Sequence, residues 1–204
     1  MAGILSDSAL AAAFNQGDIK INPWNPEQLN PTSYDLTLGD EVAVYEDWVH
    51  CYEREKTTHE DGRHFCIREN VLDVKKEPTV QKFKIHPNFG WFLKPGIGYL
   101  MHTREQIRTD IYVPILDGKS SIGRLFLQVH ATAGYGDPGF DGQYTLEVIV
   151  QHPLRVYPGM RICQIRFHTL EGELEKPYNL VGHYRGDAAR GAVGSQAWKQ
   201  FQGQ

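Results

Sequence analysis

A Gly-Lys-Ser-Ser stretch at residues 118–121 combines residue types that bind phosphate. Its backbone N–H groups, two hydroxyls and lysine ammonium all suit phosphate oxygens. It is not a nucleotide-binding P-loop, because that motif needs a glycine five residues before Gly118, where the sequence has Val113. The apolar runs on both sides, IYVPIL and RLFLQVH, also predict strands rather than a following helix. A solvent-facing hairpin turn is the alternative interpretation of these four residues.

Two charged residues lie within otherwise apolar runs. Glu147 has aliphatic neighbours in QYTLEVIVQ, and Arg124 begins the apolar part of SIGRLFL. An ionised carboxylate in a strand covered on both faces is costly unless it is paired or used in chemistry. Period-2 alternation also allows Glu147 to face water. A glutamate and an arginine on separate strands favour a charged pair in one pocket.

The cysteine and histidine pattern matches no standard metal site. Zinc-dependent deaminases need His-x-Glu and Pro-Cys-x-x-Cys, and the sequence has neither. Cys163 lies in the apolar run RICQIRF and is predicted to be a core residue. One further cluster is formed by His50, Cys51, His59, His64 and Cys66. It is interpreted either as a metal site or as an ordinary polar loop.

Composition indicates a globular chain of 204 residues with a net charge of −4. This charge argues against a broad nucleic-acid-binding surface. Three cysteines do not predict a disulfide framework, and they favour a reducing, cytoplasmic environment. No apolar run is long enough to span a membrane, and the N-terminal residues lack the pattern of a signal peptide.

The elements that must position these residues are mostly strands. LSDSALAAAFNQG predicts one short helix, which is capped at Ser6 or Asp7 and ends at Gly17. Short alternating runs follow, and Pro-Gly turns at residues 94–96 and 158–159 predict two hairpins. This pattern favours a mostly β sandwich or barrel.

Two segments depart from this pattern within a single domain over residues 1–204. Residues 46–84 are largely polar and weakly periodic, so we interpret them as an excursion from the core, with or without its own hairpin. The C-terminal tail, residues 176–204, is rich in Gly, Arg and small residues and cannot form much core. It either extends into solvent or folds over another part of the chain.

The segment GKSSIGRLFLQVHATAGYGDPGFDGQYTLEV closely resembles the signature of dCTP deaminases, which belong to the dUTPase-like superfamily. Three other segments resemble the family in the same order: INPWNPEQLNPTSYDLTLGD, YPGMRICQIRF and KPYNLVGHYRGDAARGAVGS. The resemblance runs from about Leu5 to Ser195 and is weakest over residues 46–84. It implies a distorted β-barrel, a homotrimer with active sites at subunit interfaces, and a magnesium–nucleotide substrate without zinc.

The resemblance also implies roles for individual residues. Glu147 matches the catalytic glutamate, Arg124 the arginine beside it, and Ser120 a serine of the turn. His130, on the same predicted strand as Arg124, either completes their hydrogen bonds or is an interior histidine. The other matches are Lys119 and Ser121 toward phosphate, Ala133 toward the base and water, Asp137 and Phe140 toward the deoxyribose, and Tyr178 and His183 in the closing tail. Lys119 replaces a common arginine and His183 a usual lysine.

The implied reaction is zinc-independent hydrolytic deamination of dCTP to dUTP and ammonia, with Glu147 moving the protons. The alternative is a bifunctional enzyme that goes on to dUMP and pyrophosphate. It is motivated by RICQI, which resembles a dUTPase motif, and by Gly134, which follows Ala133 as in bifunctional members. Asp137 and Gln164 would then position the attacking water. A pure dUTPase is disfavoured by Glu147. A non-catalytic nucleotide-binding protein is disfavoured by Glu147, Arg124 and Ser120, whereas His183 mildly favours it.

Overall fold

A computed structural model describes residues 3–45, 57–58, 64–65 and 72–202. The helices are α1 (Asp7–Gln16), α2 (Ser120–Gly123) and α3 (Tyr178–Val181), with 3₁₀ turns at Pro26–Gln28, Gly186–Ala189 and Ala197–Phe201. The strands are β1 (Ile19–Asn22), β2 (Leu29–Asn30), β3 (Ser33–Thr37), β4 (Glu41–Tyr45), β5 (Thr57–Thr58), β6 (His64–Phe65), β7 (Val80–Lys84), β8 (Trp91–Leu93), β9 (Tyr99–Thr109), β10 (Tyr112–Gly118), β11 (Leu127–Gln128), β12 (Asp141–Val150), β13 (Leu154–Val156) and β14 (Arg161–Thr169).

Two antiparallel sheets pack around one apolar core. The larger has the order β11-β12-β9-β4-β7, with β1 also paired to β9, and the smaller has the order β10-β14-β3-β2. Tyr34 on β3, Met101 on β9 and Phe167 on β14 are fully buried in this core. Neither sheet closes on itself among the described strands. The predicted fold, a distorted dUTPase-like β-barrel with a short N-terminal helix, is confirmed.

Helix α1 forms where the sequence predicted it. The Ser6 side chain accepts a hydrogen bond from the Ala9 backbone, and Gly17 ends the helix with a left-handed φ of 84°. Leu10 and Ala13 are buried, so one face of the helix covers the core. None of the described helices, α1 included, has the length and apolar content that crossing a bilayer requires.

The two predicted hairpins at residues 94–96 and 158–159 are wrong. The chain does turn there, with φ of 80° at Gly96 and 79° at Gly159. However, β8 pairs with β13, whereas β9 and β14 belong to the two main sheets. Each turn therefore carries the chain from a small sheet into a large one. A turn is specified by local residues, but strand pairing also depends on which faces become buried.

The predicted strand RLFLQVHA is also largely wrong. The Gly-Lys-Ser-Ser residues lead into α2, where the Arg124 backbone N–H donates to the Ser120 carbonyl at 3.2 Å. Phe126 then takes a left-handed φ of 55°, and β11 covers only two residues. Arg124 is consequently an exposed residue at a helix end rather than a charge in an apolar strand. The hairpin-turn interpretation of residues 118–121 fails for the same reason.

The excursion is shorter than residues 46–84. Strand β7 belongs to the larger sheet, where Val42 of β4 pairs with Phe83. Inside the excursion, β5 and β6 pair with each other as a short antiparallel hairpin. The side chains of the His/Cys cluster at residues 50–66 lie outside the described residues.

Candidate active site

A cavity of about 310 Å³ lies between strand β12, the loop that precedes it and the C-terminal tail. Two carboxylates line it, Glu147 on β12 and Asp137 on the loop. Six aromatic side chains form another large part of the wall. The aromatic residues are Tyr45, Tyr135, Phe140, Tyr144, Tyr178 and Tyr184. A concave pocket that combines aromatic walls with a few polar groups is typical of a small-molecule site.

Glu147 faces this cavity because of strand alternation. Leu146 and Val148 are fully buried in the core, so Glu147 lies on the opposite face of β12 and is half-buried. Its Oε2 atom accepts a hydrogen bond of 2.9 Å from the Ala131 backbone N–H. Its other oxygen accepts none from the described residues. The carboxylate is therefore held in place and still has an oxygen for a ligand.

A bulge in β12 widens the wall of the cavity. The pairing of β12 with β9 shifts register between Gln143 and Thr145, and three successive side chains, those of residues 143–145, line the cavity. Two of them bind the tail: the Gln143 side chain accepts from the Gly191 N–H at 2.9 Å, and the Thr145 hydroxyl donates to the Gly191 carbonyl at 3.2 Å. The same strand thus presents Glu147 and anchors the tail.

The loop before β12 supplies three of the predicted substrate-binding residues, Ala133, Asp137 and Phe140. It is fixed to β10 by a hydrogen bond of 2.6 Å from the Leu116 N–H to the Gly134 carbonyl. A Cβ at Gly134 would collide with the Leu116 carbonyl oxygen. Only glycine fits at this point without moving the loop.

The tail folds over the cavity. Tyr178 lies edge-on to Phe140, with ring centroids 5.6 Å apart. The Tyr45 hydroxyl accepts from the Ser195 N–H at 3.0 Å, and the Tyr184 hydroxyl accepts from the Gln196 N–H at 3.1 Å. Burial is the main cause that raises the pKa of both Tyr45 and Tyr178, which keeps these hydroxyls neutral. His183 is exposed and does not line the cavity.

Five predicted residues therefore meet in one cavity: Glu147, Ala133, Asp137, Phe140 and Tyr178. The Glu147–Arg124 pair does not form within one chain, because Arg124 is exposed on the Gly-Lys-Ser-Ser side and does not line the cavity. The other predicted residues that lie outside this cavity are Ser120, Ser121, Lys119, His130, Gln164 and His183.

Lys119 and Gln164 form a separate polar cluster. The Lys119 ammonium bonds both carboxylate oxygens of Asp35 at 2.8 Å. The Gln164 side chain donates to the Gly118 carbonyl at 2.9 Å and accepts from the Ser33 hydroxyl at 2.8 Å. These contacts fix the Gly-Lys-Ser-Ser residues to β3 and β14.

His130 and Cys163 are the two remaining residues that the sequence singled out. The Nδ1 atom of His130 is buried without a hydrogen-bond partner among the described residues, and its Nε2 lies 3.1 Å from where a Gly134 Cβ would stand. The role predicted for His130 beside Arg124 and Glu147 stays a prediction. Cys163 is a fully buried free cysteine, as predicted, and burial raises the pKa of its thiol.

Much of the cavity wall was not predicted from the sequence. Gln143 and Thr145 lie on the Glu147 face at intervals of two residues, so strand periodicity was the available signal. Tyr45 and Tyr184 are remote in sequence and gave no local signal. In the described part of the chain, no group of three or more His, Cys, Asp or Glu side chains is arranged to hold a metal ion.

The chain is similar to proteins of one known family. Residues 4–170 match the family described as dCTP deaminase-like. The chain belongs to this family. It is 44% identical over 173 residues to a "dCTP deaminase, dUMP-forming" of Hathewaya histolytica, a match that covers 85% of this chain and 87% of the relative. A protein of the same description from Leptospira biflexa is 42% identical over 185 residues, 91% of each chain.

A solved structure supports the fold. The 2'-deoxycytidine 5'-triphosphate deaminase of Agrobacterium tumefaciens superposes with a TM-score of 0.58 and 23% identity. The match covers 85% of this chain and half of the length of that solved chain. Together with the family match, it identifies the chain as a dCTP deaminase-like enzyme with the family's fold.

Proposed function

We propose that this enzyme deaminates dCTP and cleaves the resulting uracil nucleotide, so that it releases ammonia, dUMP and pyrophosphate. The observation that carries the proposal is Glu147, held by a backbone N–H in an aromatic cavity of a chain 44% identical to a dUMP-forming relative. This favours the bifunctional alternative over a reaction that ends at dUTP. Gly134 supports it through the resemblance to bifunctional members, and a Cβ at this position would collide with the Leu116 carbonyl.

Glu147 would act as the general base and acid of deamination. Water adds to C4 of cytosine, a proton passes to N3, and ammonia leaves with a proton from the same carboxylate. The Ala131 N–H holds one carboxylate oxygen, which leaves the other oxygen for the water. Positioned acid–base catalysis of this kind contributes about 10²–10⁴-fold. Alignment of water and base within the aromatic walls supplies part of the rest.

The second step would use different residues. Water attacks the α-phosphorus, and the bond to the bridging oxygen of the pyrophosphate breaks. Asp137 lies in the same cavity as Glu147 and is our candidate to hold this water. Gln164 is the second candidate, although it belongs to the cluster beside Gly118 in its own chain.

A homotrimer would complete the site. Arg124, Ser120 and Ser121 are exposed and do not line their own chain's cavity. The apolar side chains beside them, Leu125 and Phe126, are 47% and 57% exposed in the single chain. Exposed apolar side chains next to each other are typical of a surface that another chain covers. In a ring of three chains, each copy would offer its Gly-Lys-Ser-Ser segment to the cavity of the next. Arg124 would then meet Glu147 of the neighbouring chain.

The substrate would be the magnesium complex of the nucleotide. Magnesium prefers oxygen ligands and commonly binds the phosphate oxygens of triphosphates, where it neutralises part of their charge. Since no cluster of acidic side chains in the described ranges is built for a metal, we infer that phosphate oxygens and water hold it. The sparse cysteines favour a cytoplasmic site for this reaction.

The test is a time course of purified protein with magnesium and dCTP, in which ammonia, dUTP, dUMP and pyrophosphate are separated. Equal amounts of ammonia, dUMP and pyrophosphate are expected. Accumulation of dUTP would restrict the enzyme to deamination, and binding without uridine products would refute the proposal.

A further inference from the structure

A fully buried carboxylate lies behind the Gly-Lys-Ser-Ser segment. Asp35 on β3 is 0% exposed, and both of its oxygens bond the Lys119 ammonium at 2.8 Å. The Asn30 side-chain amide donates to the same carboxylate at 2.9 Å. Removing the cation from a buried ion pair is strongly unfavourable, because it leaves an uncompensated buried charge. Lys119 is therefore committed to Asp35.

A second cation stands beside the same carboxylate. One guanidinium nitrogen of Arg161 lies 3.4 Å from Asp35, and the Arg161 side chain is 43% exposed. Asp35 is the one partner of this guanidinium among the described residues. Two cations thus contact the Asp35 carboxylate, and Lys119 holds it at the shorter distance. Arg161 keeps a positive charge and most of its N–H donors for another partner.

The Arg161 guanidinium borders the segment that the family resemblance assigns to phosphate. Arg161 begins β14, and three residues later Gln164 binds the Gly118 carbonyl. Ser120 and Ser121 follow directly and are exposed. Hydroxyls and a guanidinium fork beside one another suit the oxygens of a polyphosphate.

We propose that Arg161, and not Lys119, is the cationic residue that binds the polyphosphate of the substrate. Lys119 instead holds the segment on Asp35. That the bound molecule is a nucleotide rests on the proposed function. That an anion binds at Arg161 does not depend on the proposed function. It differs from the sequence expectation that placed Lys119 on phosphate, and it would explain how a lysine is tolerated where arginine is common.

Isothermal titration with inorganic tripolyphosphate and with dCMP, neither of which is expected to turn over, tests the assignment directly. Arg161→Gln should weaken tripolyphosphate binding by about tenfold or more, as expected for loss of a charge-assisted contact, and change dCMP binding less than about twofold. For Arg161→Lys, the dissociation constant of tripolyphosphate should lie between those of Arg161→Gln and of the unchanged protein. Arg155→Gln, which removes an exposed arginine of β13, is the matched control and should bind as the unchanged protein does.

The KM for magnesium–dCTP should rise in parallel with the tripolyphosphate dissociation constant in the Arg161 variants. Unchanged tripolyphosphate binding by Arg161→Gln would overturn the proposal. Equal weakening of dCMP and tripolyphosphate would also overturn it, since that pattern indicates a general structural defect. A protein that binds tripolyphosphate through Arg161 but releases no ammonia from dCTP would support this site and refute the proposed function instead.

Discussion

The Glu147 carboxylate is held by the Ala131 backbone N–H at 2.9 Å, so the loop before β12 determines the direction of the candidate general base. The same loop carries Asp137 and is fixed to β10 through Gly134 and Leu116. Both carboxylates of the cavity therefore depend on the path of one loop. A small change in that path should affect both chemical steps together.

Gly134→Ala should impair both steps. The added Cβ collides with the Leu116 carbonyl, so the loop must move, and overpacking of this kind costs about 1–3 kcal/mol. We expect a lower Tm and a fall in both ammonia and dUMP release. Gly98→Ala is the control, because a Cβ there meets nothing within 4 Å. Full retention of both activities in Gly134→Ala would show that the loop tolerates displacement.

Arg124→Gln and Glu147→Gln should complement each other if the sites are shared between chains. Each variant alone is expected to be inactive. Mixed trimers made by joint refolding or co-expression should regain roughly a quarter of the normal sites, those in which one chain supplies Glu147 and its neighbour Arg124. Ammonia release measures the recovery. No recovery from trimers shown to be mixed would place both residues in the same chain.

Tyr45→Phe should weaken closure of the tail. It removes the acceptor for the Ser195 N–H and keeps the aromatic ring in the wall. Loss of a neutral hydrogen bond should raise the KM for dCTP by about two- to tenfold and leave kcat nearly unchanged. Tyr157→Phe, at an exposed position, is the control. An unchanged KM would mean that this bond does not contribute to holding the tail closed.

Stability should fall in mild acid because of His102. Burial is the main cause that lowers the pKa of this histidine, whose side chain packs against Gly39 and bonds the Thr103 carbonyl at 2.8 Å. Asp40 and Glu41 oppose the shift, and Lys84 adds to it. The unfolded chain therefore binds the proton first, so stability is complete above about pH 6.5 and is lost as the pH falls toward the lowered value.

Thermal melts of the protein and of His102→Gln between pH 5 and 8 check this expectation. The difference in Tm between pH 8 and pH 5 should be smaller in the variant. An equal or larger difference would assign the acid sensitivity to other groups.

Much of the fold followed from local patterns. The capped helix α1 and the alternation that separates Leu146 and Val148 from Glu147 depend on neighbouring residues alone, and both were predictable. The pairing of β8 with β13 was not, because a Pro-Gly turn fixes a reversal of the chain but not its partner. Similarly, an apolar run after Arg124 indicated a strand, although Phe126 is exposed and has a left-handed backbone.

The residues of the site were likewise predictable only in part. The five predicted residues that meet in the cavity lie mostly within one continuous stretch of family-like sequence, residues 133–147, with Tyr178 added by the tail. Asp35 and Arg161 were not anticipated, since their relation to Lys119 depends on contacts between strands far apart in sequence. The pairing of Glu147 with Arg124 in one pocket does not form within a single chain, and their pairing between chains stays a prediction.

The most direct test is a comparison of Glu147→Gln with the unchanged protein in dCTP binding and in ammonia release. Glutamine preserves the shape of the side chain and the hydrogen bond from Ala131, but it cannot take the proton from water. We expect ammonia release to fall by about 10²-fold or more, with dCTP affinity within about threefold. Glu173→Gln is the control and should be unaffected, because Glu173 is exposed after β14 and does not line the cavity. Ammonia release by Glu147→Gln at the normal rate would contradict the account.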